Sequence, residues 1–143
     1  MSPTGVAEAF ERAPALAERV GEGGDPPAII ARARDVIRHM TEAERVSVLN
    51  AHPRIGAATG LSARSAAEQN DGTADRDTLR TLELLNAEYE RTFGFRFVVF
   101  VNRRSRAEIV PVLQARLRRP RHEELATGID EFLAIARDRL ERG

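Results

Sequence analysis

Three features of this sequence have residue types and spacing suited to chemistry. They are a histidine at a helix end, a serine–glutamate pair, and an arginine on an apolar helix face. His52 precedes Pro53, and a proline pushes its predecessor out of the helical region, so a helix is predicted to end near residue 51. Carbonyls at a helix C-terminus carry partial negative charge and favour a protonated imidazole. A histidine there can titrate near neutral pH and serve as general acid or base. The same position also suits a histidine that only caps terminal carbonyls, and position alone favours that plainer role. His39, near another helix end, and His122, in a charged stretch after Pro120, are expected to be solvated.

Ser65 and Glu68 stand three apart, the spacing of a capping box, and a cap alone accounts for both. Between them lie two small residues, Ala66 and Ala67, and Gln69 adds an amide beside the carboxylate. A helix start also offers free N–H groups to an anionic ligand. Arg139 is the sharper anomaly. At about 100° per residue it falls between Phe132 and Ile135, inside the apolar face that Leu125, Ile129, Phe132, Leu133, Ala136 and Leu140 define on the last predicted helix. A guanidinium there must either meet an anion, such as Glu68 or a substrate carboxylate, or snorkel to solvent.

The absences narrow the chemistry. There is no cysteine, which excludes thiolate nucleophiles, disulfides and cysteine zinc sites. Three scattered histidines without an HExxH motif make no convincing metal site, so no metal is expected. Neither a phosphate-cradling glycine loop nor a nucleophile elbow occurs. Lys plus Arg and Asp plus Glu both total 22, so no basic excess points to nucleic acid. No apolar run reaches membrane-spanning length, and residues 1–10 lack the pattern of a signal peptide. A cytoplasmic protein is the expectation. What remains is His, Ser, Glu, Gln and Arg, a set suited to acid–base work on a polar, anionic small molecule.

These side chains need a scaffold. The 143 residues, 42% hydrophobic and 31% charged, suit one globular domain spanning 1–143 with a real core. Many Ala, Arg and Glu residues and few aromatics favour helix. Helices are predicted over about 6–20 (restarting near Pro14), from Asp25-Pro26 to about residue 40, from the Thr41/Glu44 capping box to 51, and over 65–70. Further helices are predicted over 75–92, from the Ser105/Glu108 capping box to about 117, and from Pro120 to about 140. Residues 95–101 are aromatic and β-branched, a strand by propensity. A lone strand has no partner, so an extended apolar segment buried against helices is expected. Its main-chain N–H and C=O groups need partners, and a polar ligand is one candidate.

In this order, the pieces resemble the OHCU decarboxylase family, whose substrate is 2-oxo-4-hydroxy-4-carboxy-5-ureidoimidazoline. The likeness rests on His52-Pro53 with Arg54-Ile55-Gly56 and on Ser65-x-x-Glu68-Gln69. It continues through Leu85-Asn86-Ala87-Glu88-Tyr89 to Phe93-Gly94-Phe95-Arg96-Phe97-Val98, and closes on Arg139-Leu140. The resemblance implies an all-α, bundle-like homodimer without a cofactor. It implies removal of CO₂ from OHCU to give (S)-allantoin in urate breakdown. It makes His52, Glu68 and Arg139 catalytic, and assigns substrate binding to Pro53, Ser65, Ala66, Ala67, Gln69, Phe97, Val98, Val99, Phe100 and Val101. Two departures stand out. Arg96 replaces a proline common in the family between the two phenylalanines. The aromatic often found after the Glu-x-x-Pro stretch, here Glu11 to Pro14, is absent. The rival readings are a decarboxylase of a related ureido or imidazoline acid and a helical interaction module without catalysis.

Overall fold

The computed structural model describes residues 9–10, 13–55 and 76–142 and is all-α, with no strand among the described residues. Six helices follow one another there: α1 (Pro14–Val20), α2 (Pro26–Arg38), α3 (Glu42–Ala51), α4 (Arg76–Phe93), α5 (Arg106–Arg116) and α6 (Arg121–Arg142). The helical piece expected over 65–70 lies outside the described residues, as do residues 6–8 and 11–12 of the first predicted helix.

The helix starts follow local chemistry. Asp25 accepts the amide of Ala28 at 3.0 Å, with proline opening α2. Thr41 with Glu44 and Ser105 with Glu108 form complete capping boxes on α3 and α5. Each reciprocal pair satisfies two N–H groups that a helix leaves open. α3 ends at Ala51, one residue before His52, as the following proline requires. α5 accommodates Pro111, which is exposed, so solvent can take the carbonyl that the missing N–H leaves open.

The helix ends are satisfied largely by arginine. The sequence contains no lysine, so all 22 basic side chains are arginines. Arg32 donates to the carbonyls of Val20 at 3.2 Å and Gly23 at 2.6 Å, closing α1. Arg45 donates to those of Ile37 and Arg38, both at 3.1 Å, closing α2. Arg121 reaches the carbonyl of Phe93 at 2.9 Å, closing α4. A planar cation with several donors suits the partial negative charge of a helix C-terminus.

One hydrophobic cluster runs through the described residues, with Phe10, Leu49, Leu82, Tyr89, Ile109, Phe132 and Leu133 among its most buried members. α6 is its central element, touched by both α2 and α3, while α4 packs on α5. A Cβ on Gly128 would stand 2.9 Å from Leu49 Cδ1, so the bare glycine lets α3 lie close against α6. That approach brings His52, three residues beyond Leu49, onto the Phe132 ring in an edge contact at 6.4 Å.

Candidate active site

His52 caps α3 in extended conformation, with its amide bonded to the Leu49 carbonyl at 3.1 Å. Its ring is buried, and Nδ1 lies 3.1 Å from the Pro53 carbonyl. The turn that carries it is pinned at three points. Arg96 Nη1 donates to the His52 carbonyl at 3.0 Å. Arg54 holds Glu90 through two bonds of 2.6 and 2.8 Å. The Asn86 side-chain amide donates to the Ile55 carbonyl at 3.1 Å.

Residues 95–101 run from the end of α4 towards α5 outside any helix or strand, and all but Arg96 and Phe100 are buried. The scaffold takes up part of their main chain. Asn50 Oδ1 accepts from the Arg96 amide at 2.9 Å, and Glu131 accepts from that of Phe100 at 3.3 Å. Arg116 donates to the Val98 carbonyl at 2.7 Å, and Arg104 to those of Phe100 at 2.6 Å and Val101 at 3.0 Å. The main-chain groups of Phe97 and Val99 have no hydrogen-bond partner among the described residues. The segment ends in a turn closed by the Arg104 amide on the Val101 carbonyl at 3.0 Å. Asn102 and Arg103 occupy that turn with φ of 48° and 66°, a conformation few L-residues adopt.

A cavity of about 130 Å³ opens between these two pieces. Of the residues singled out in the sequence, it gathers His52, Pro53, Phe97, Val99, Phe100 and Val101. Val98 is not among its lining residues. Ser65, Ala66, Ala67, Glu68 and Gln69 lie outside the described residues. Arg139 is fully buried, so it does not snorkel. Its Nη1 lies 3.4 Å from the Ala9 carbonyl, and Ile135 stands one turn earlier on the same helix at the cavity wall. Asn102, Arg103, Asp138 and Arg142 also line the cavity, with Arg142 paired to Asp138 at 2.9 Å. Sequence reasoning missed these four, which lie on a turn and on the polar side of α6. Among the described residues no group of three or more His, Cys, Asp or Glu side chains gathers as a metal site.

Behind the extended segment lies a buried ionic cluster that also went unread. Arg116 pairs with the fully buried Glu124 at 2.7 Å, and Arg119 reaches the same carboxylate at 3.0 Å. The Tyr89 hydroxyl donates to Glu124 at 2.6 Å. The Arg116 guanidinium also lies over the Phe97 ring, 4.6 Å from its centroid. Burial raises the pKa of the Tyr89 phenol, and the bond to Glu124 raises it further. The wheel position of Glu124, one turn before Gly128, was the available clue.

The model of a known family, OHCU decarboxylase, matches residues 4–141. The chain belongs to the OHCU decarboxylase family. Among its relatives is the 2-oxo-4-hydroxy-4-carboxy-5-ureidoimidazoline decarboxylase of Haloferax volcanii. It is 29% identical over 140 residues, which are 93% of this chain and 83% of that protein. The decarboxylase of the same name from Xenopus laevis is 28% identical over 116 residues, covering 76% of this chain and 66% of the relative. The chain also matches 22% of the uric acid degradation bifunctional protein of Bacillus subtilis at 28% identity. A crystal structure of OHCU decarboxylase in the presence of (S)-allantoin shares the fold, with a TM-score of 0.77, 21% identity and 94% of each chain covered. The family's fold thus agrees with the all-α expectation. No described helix is long and apolar enough to cross a membrane.

Proposed function

We propose that this member of the OHCU decarboxylase family is a carboxy-lyase that removes CO₂ from OHCU and delivers (S)-allantoin in urate breakdown. The family match along residues 4–141 carries the reading. The chemistry of the chain agrees with it. With no lysine in the sequence, no side-chain amine can form a Schiff base with a substrate carbonyl, and with no cysteine there is no thiolate nucleophile. On this reading the substrate supplies its own electron sink. Its carboxylated carbon bears a hydroxyl and neighbours a C=N bond. When the C–CO₂ bond breaks, its electron pair forms a C=C bond to the neighbouring carbon, the C=N pair moves to the nitrogen and the nitrogen takes a proton. The hydroxyl then gives up its proton to become a carbonyl while the former C=N carbon is protonated on one face. The reaction on this reading uses no cofactor or metal.

The protein's task is then to hold an anion and move protons. His52, at the cavity wall, is the acid–base group, and Glu68 orients it and stabilises its charged form. Arg139 anchors negative charge through its guanidinium fork. Pro53, Phe97, Val99, Phe100 and Val101 form the apolar wall. The Phe97 and Val99 main-chain groups bind the ureido and ring amides, and Val98 between them belongs to the same binding stretch. Ser65, Ala66, Ala67 and Gln69 complete the binding stretch. The working protein is a cytoplasmic homodimer with one domain per chain.

The test generates OHCU in place from urate and follows its ultraviolet decay and the handedness of the allantoin, with and without the protein. Faster decay and an excess of the (S) form are expected. Unchanged decay with a racemic product sinks the proposal.

A further inference from the structure

We propose that Arg96 is a positioning residue for His52, a fastener that sets the imidazole against the wall formed by residues 97–101. The proposal rests on the reading of His52 as the acid–base group. Two bonds made by one residue carry it. The Arg96 main-chain amide donates to Asn50 Oδ1 at 2.9 Å, and its guanidinium donates to the His52 carbonyl at 3.0 Å.

The place of these bonds matters more than their number. α3 ends at Ala51, so the helical ladder no longer dictates where the chain goes at His52. His52 leaves the helix in extended conformation, with φ −79° and ψ 138°, and Pro53 has no N–H to offer the next turn. The direction of the imidazole therefore depends on what grips the His52 peptide from outside the helix, together with the ring's own contacts with the Pro53 carbonyl and Phe132. Arg96 does so on the carbonyl, and it grips Asn50, two residues earlier, with its own amide. Arg96 is followed directly by Phe97, the first residue of the extended segment to line the cavity. One residue thus ties both walls together: the end of α3, which brings the acid–base group, and the segment whose main chain faces the substrate.

The link is a charge-assisted bond, stronger and shorter-ranged in its geometry than a neutral one. Proton transfer demands such control, since a group misplaced by about 1 Å can cost on the order of 10²-fold in rate. The Arg96 side chain is only partly buried, and its amide bonds to an exposed asparagine. Loss of the guanidinium is therefore felt in the placement of His52 before it is felt in the core.

Four single variants and one double variant test this. Arg96→Met is expected to lower kcat at least about tenfold while KM stays within about twofold, because alignment rather than uniform binding is lost. Its melting temperature should stay near that of the parent. Arg96→Lys should recover part of kcat, since an ammonium can donate to the His52 carbonyl but lacks the fork. Asn50→Ala, which removes the other bond, should lower kcat in the same sense. In a His52→Asn background, Arg96→Met should have little further effect, because a residue acting through His52 has nothing left to position.

A parent-like kcat in Arg96→Met overturns the proposal, as does an undiminished fall in the His52→Asn background. Full activity of His52→Asn overturns the underlying reading of His52 instead, so the two failures are distinguishable. Should Arg96→Met fail to fold, Arg96→Lys decides. A lowered kcat at the parent's KM supports the proposal, and parent values of both overturn it.

Discussion

Arg116 donates to the carbonyl of Val98 at 2.7 Å and lies over the Phe97 ring at 4.6 Å, so one guanidinium grips two successive residues of the segment that walls the cavity. Phe97, Val99, Phe100 and Val101 of that segment line the cavity. Arg116 is held in turn by Glu124, which is fully buried and accepts from Arg116, Arg119 and Tyr89. Net stability is a poor explanation for this cluster, because desolvating a buried pair offsets most of its attraction. Its evident use is geometric.

That view predicts unequal costs. Arg116→Met leaves the Glu124 carboxylate buried with fewer donors and should destabilise the fold by about 3 kcal/mol. Adding Glu124→Gln removes the stranded charge while keeping an acceptor for Tyr89, and should restore much of that loss. Activity should remain impaired in the double variant, because the Val98 carbonyl still lacks its donor. Denaturant melts with rates on both variants check this. Equal destabilisation of single and double variants would show that the charge itself is not the source of the cost.

Tyr89 gives the same cluster a pH dependence. Its phenol is raised above the ordinary value by burial first and by its bond to Glu124 second. A phenol raised in the fold contributes stability that is intact below the unfolded value of about 10 and is lost as pH rises above it. Alkaline melts should therefore show falling stability from about pH 10 upward. Tyr89→Phe should flatten that fall while losing roughly 1 kcal/mol at neutral pH from the missing hydrogen bond. A parent and a phenylalanine variant with parallel alkaline curves would rule the phenol out.

The helices were legible because their determinants are local. Asp25, Thr41 with Glu44, and Ser105 with Glu108 cap helices in the structure as their spacing predicts. The fate of residues 95–101 was legible too, since β-branched residues without a second strand have nowhere to pair. Arg139 could be found because a charge on an apolar wheel position is a conflict within one helix. Arg116 and Glu124 escaped because each sits where the helix dipole already favours its charge, which masked the wheel position of Glu124 on the buried face. Arg116 looks like a basic last-turn residue and Glu124 like an acidic first-turn one, both favoured by the helix dipole. Their partnership exists only after α5 folds back on α6. The turn at Asn102 and Arg103 has no glycine to announce its positive φ, so its place at the cavity was invisible as well.

His52→Asn is expected to lower turnover by roughly 10²–10⁴-fold, the usual contribution of a general acid–base group. Asparagine keeps polarity and approximate size near Pro53, so helicity and melting behaviour should stay close to the parent's. Rates measured with freshly generated OHCU decide it. Parent-like turnover at equal helicity would remove His52 from the chemistry and leave it as a cap.

Exhaustive chelation should leave the rate unchanged. The described residues gather no metal-ligating group of three, and the substrate's own C=N bond can take the electron pair. A rate that falls on chelation and returns with one added metal ion would defeat the cofactor-free mechanism.

The last prediction separates site from scaffold at Arg139. This guanidinium is fully buried on α6, with Ala9 carbonyl at 3.4 Å. If its role is packing and that carbonyl contact, Arg139→Met should keep activity, because methionine preserves much of the buried stem. If it anchors the substrate's negative charge, the same change should depress turnover while stability stays equal or rises. Replacing a buried charge with an apolar side chain is often neutral or favourable for folding. Arg139→Lys should then rescue only in part, since an ammonium cannot offer the two parallel donors of the guanidinium. The second pattern is the expected one, and it needs a melt and a rate for each variant. A stable and fully active Arg139→Met would return this arginine to the scaffold.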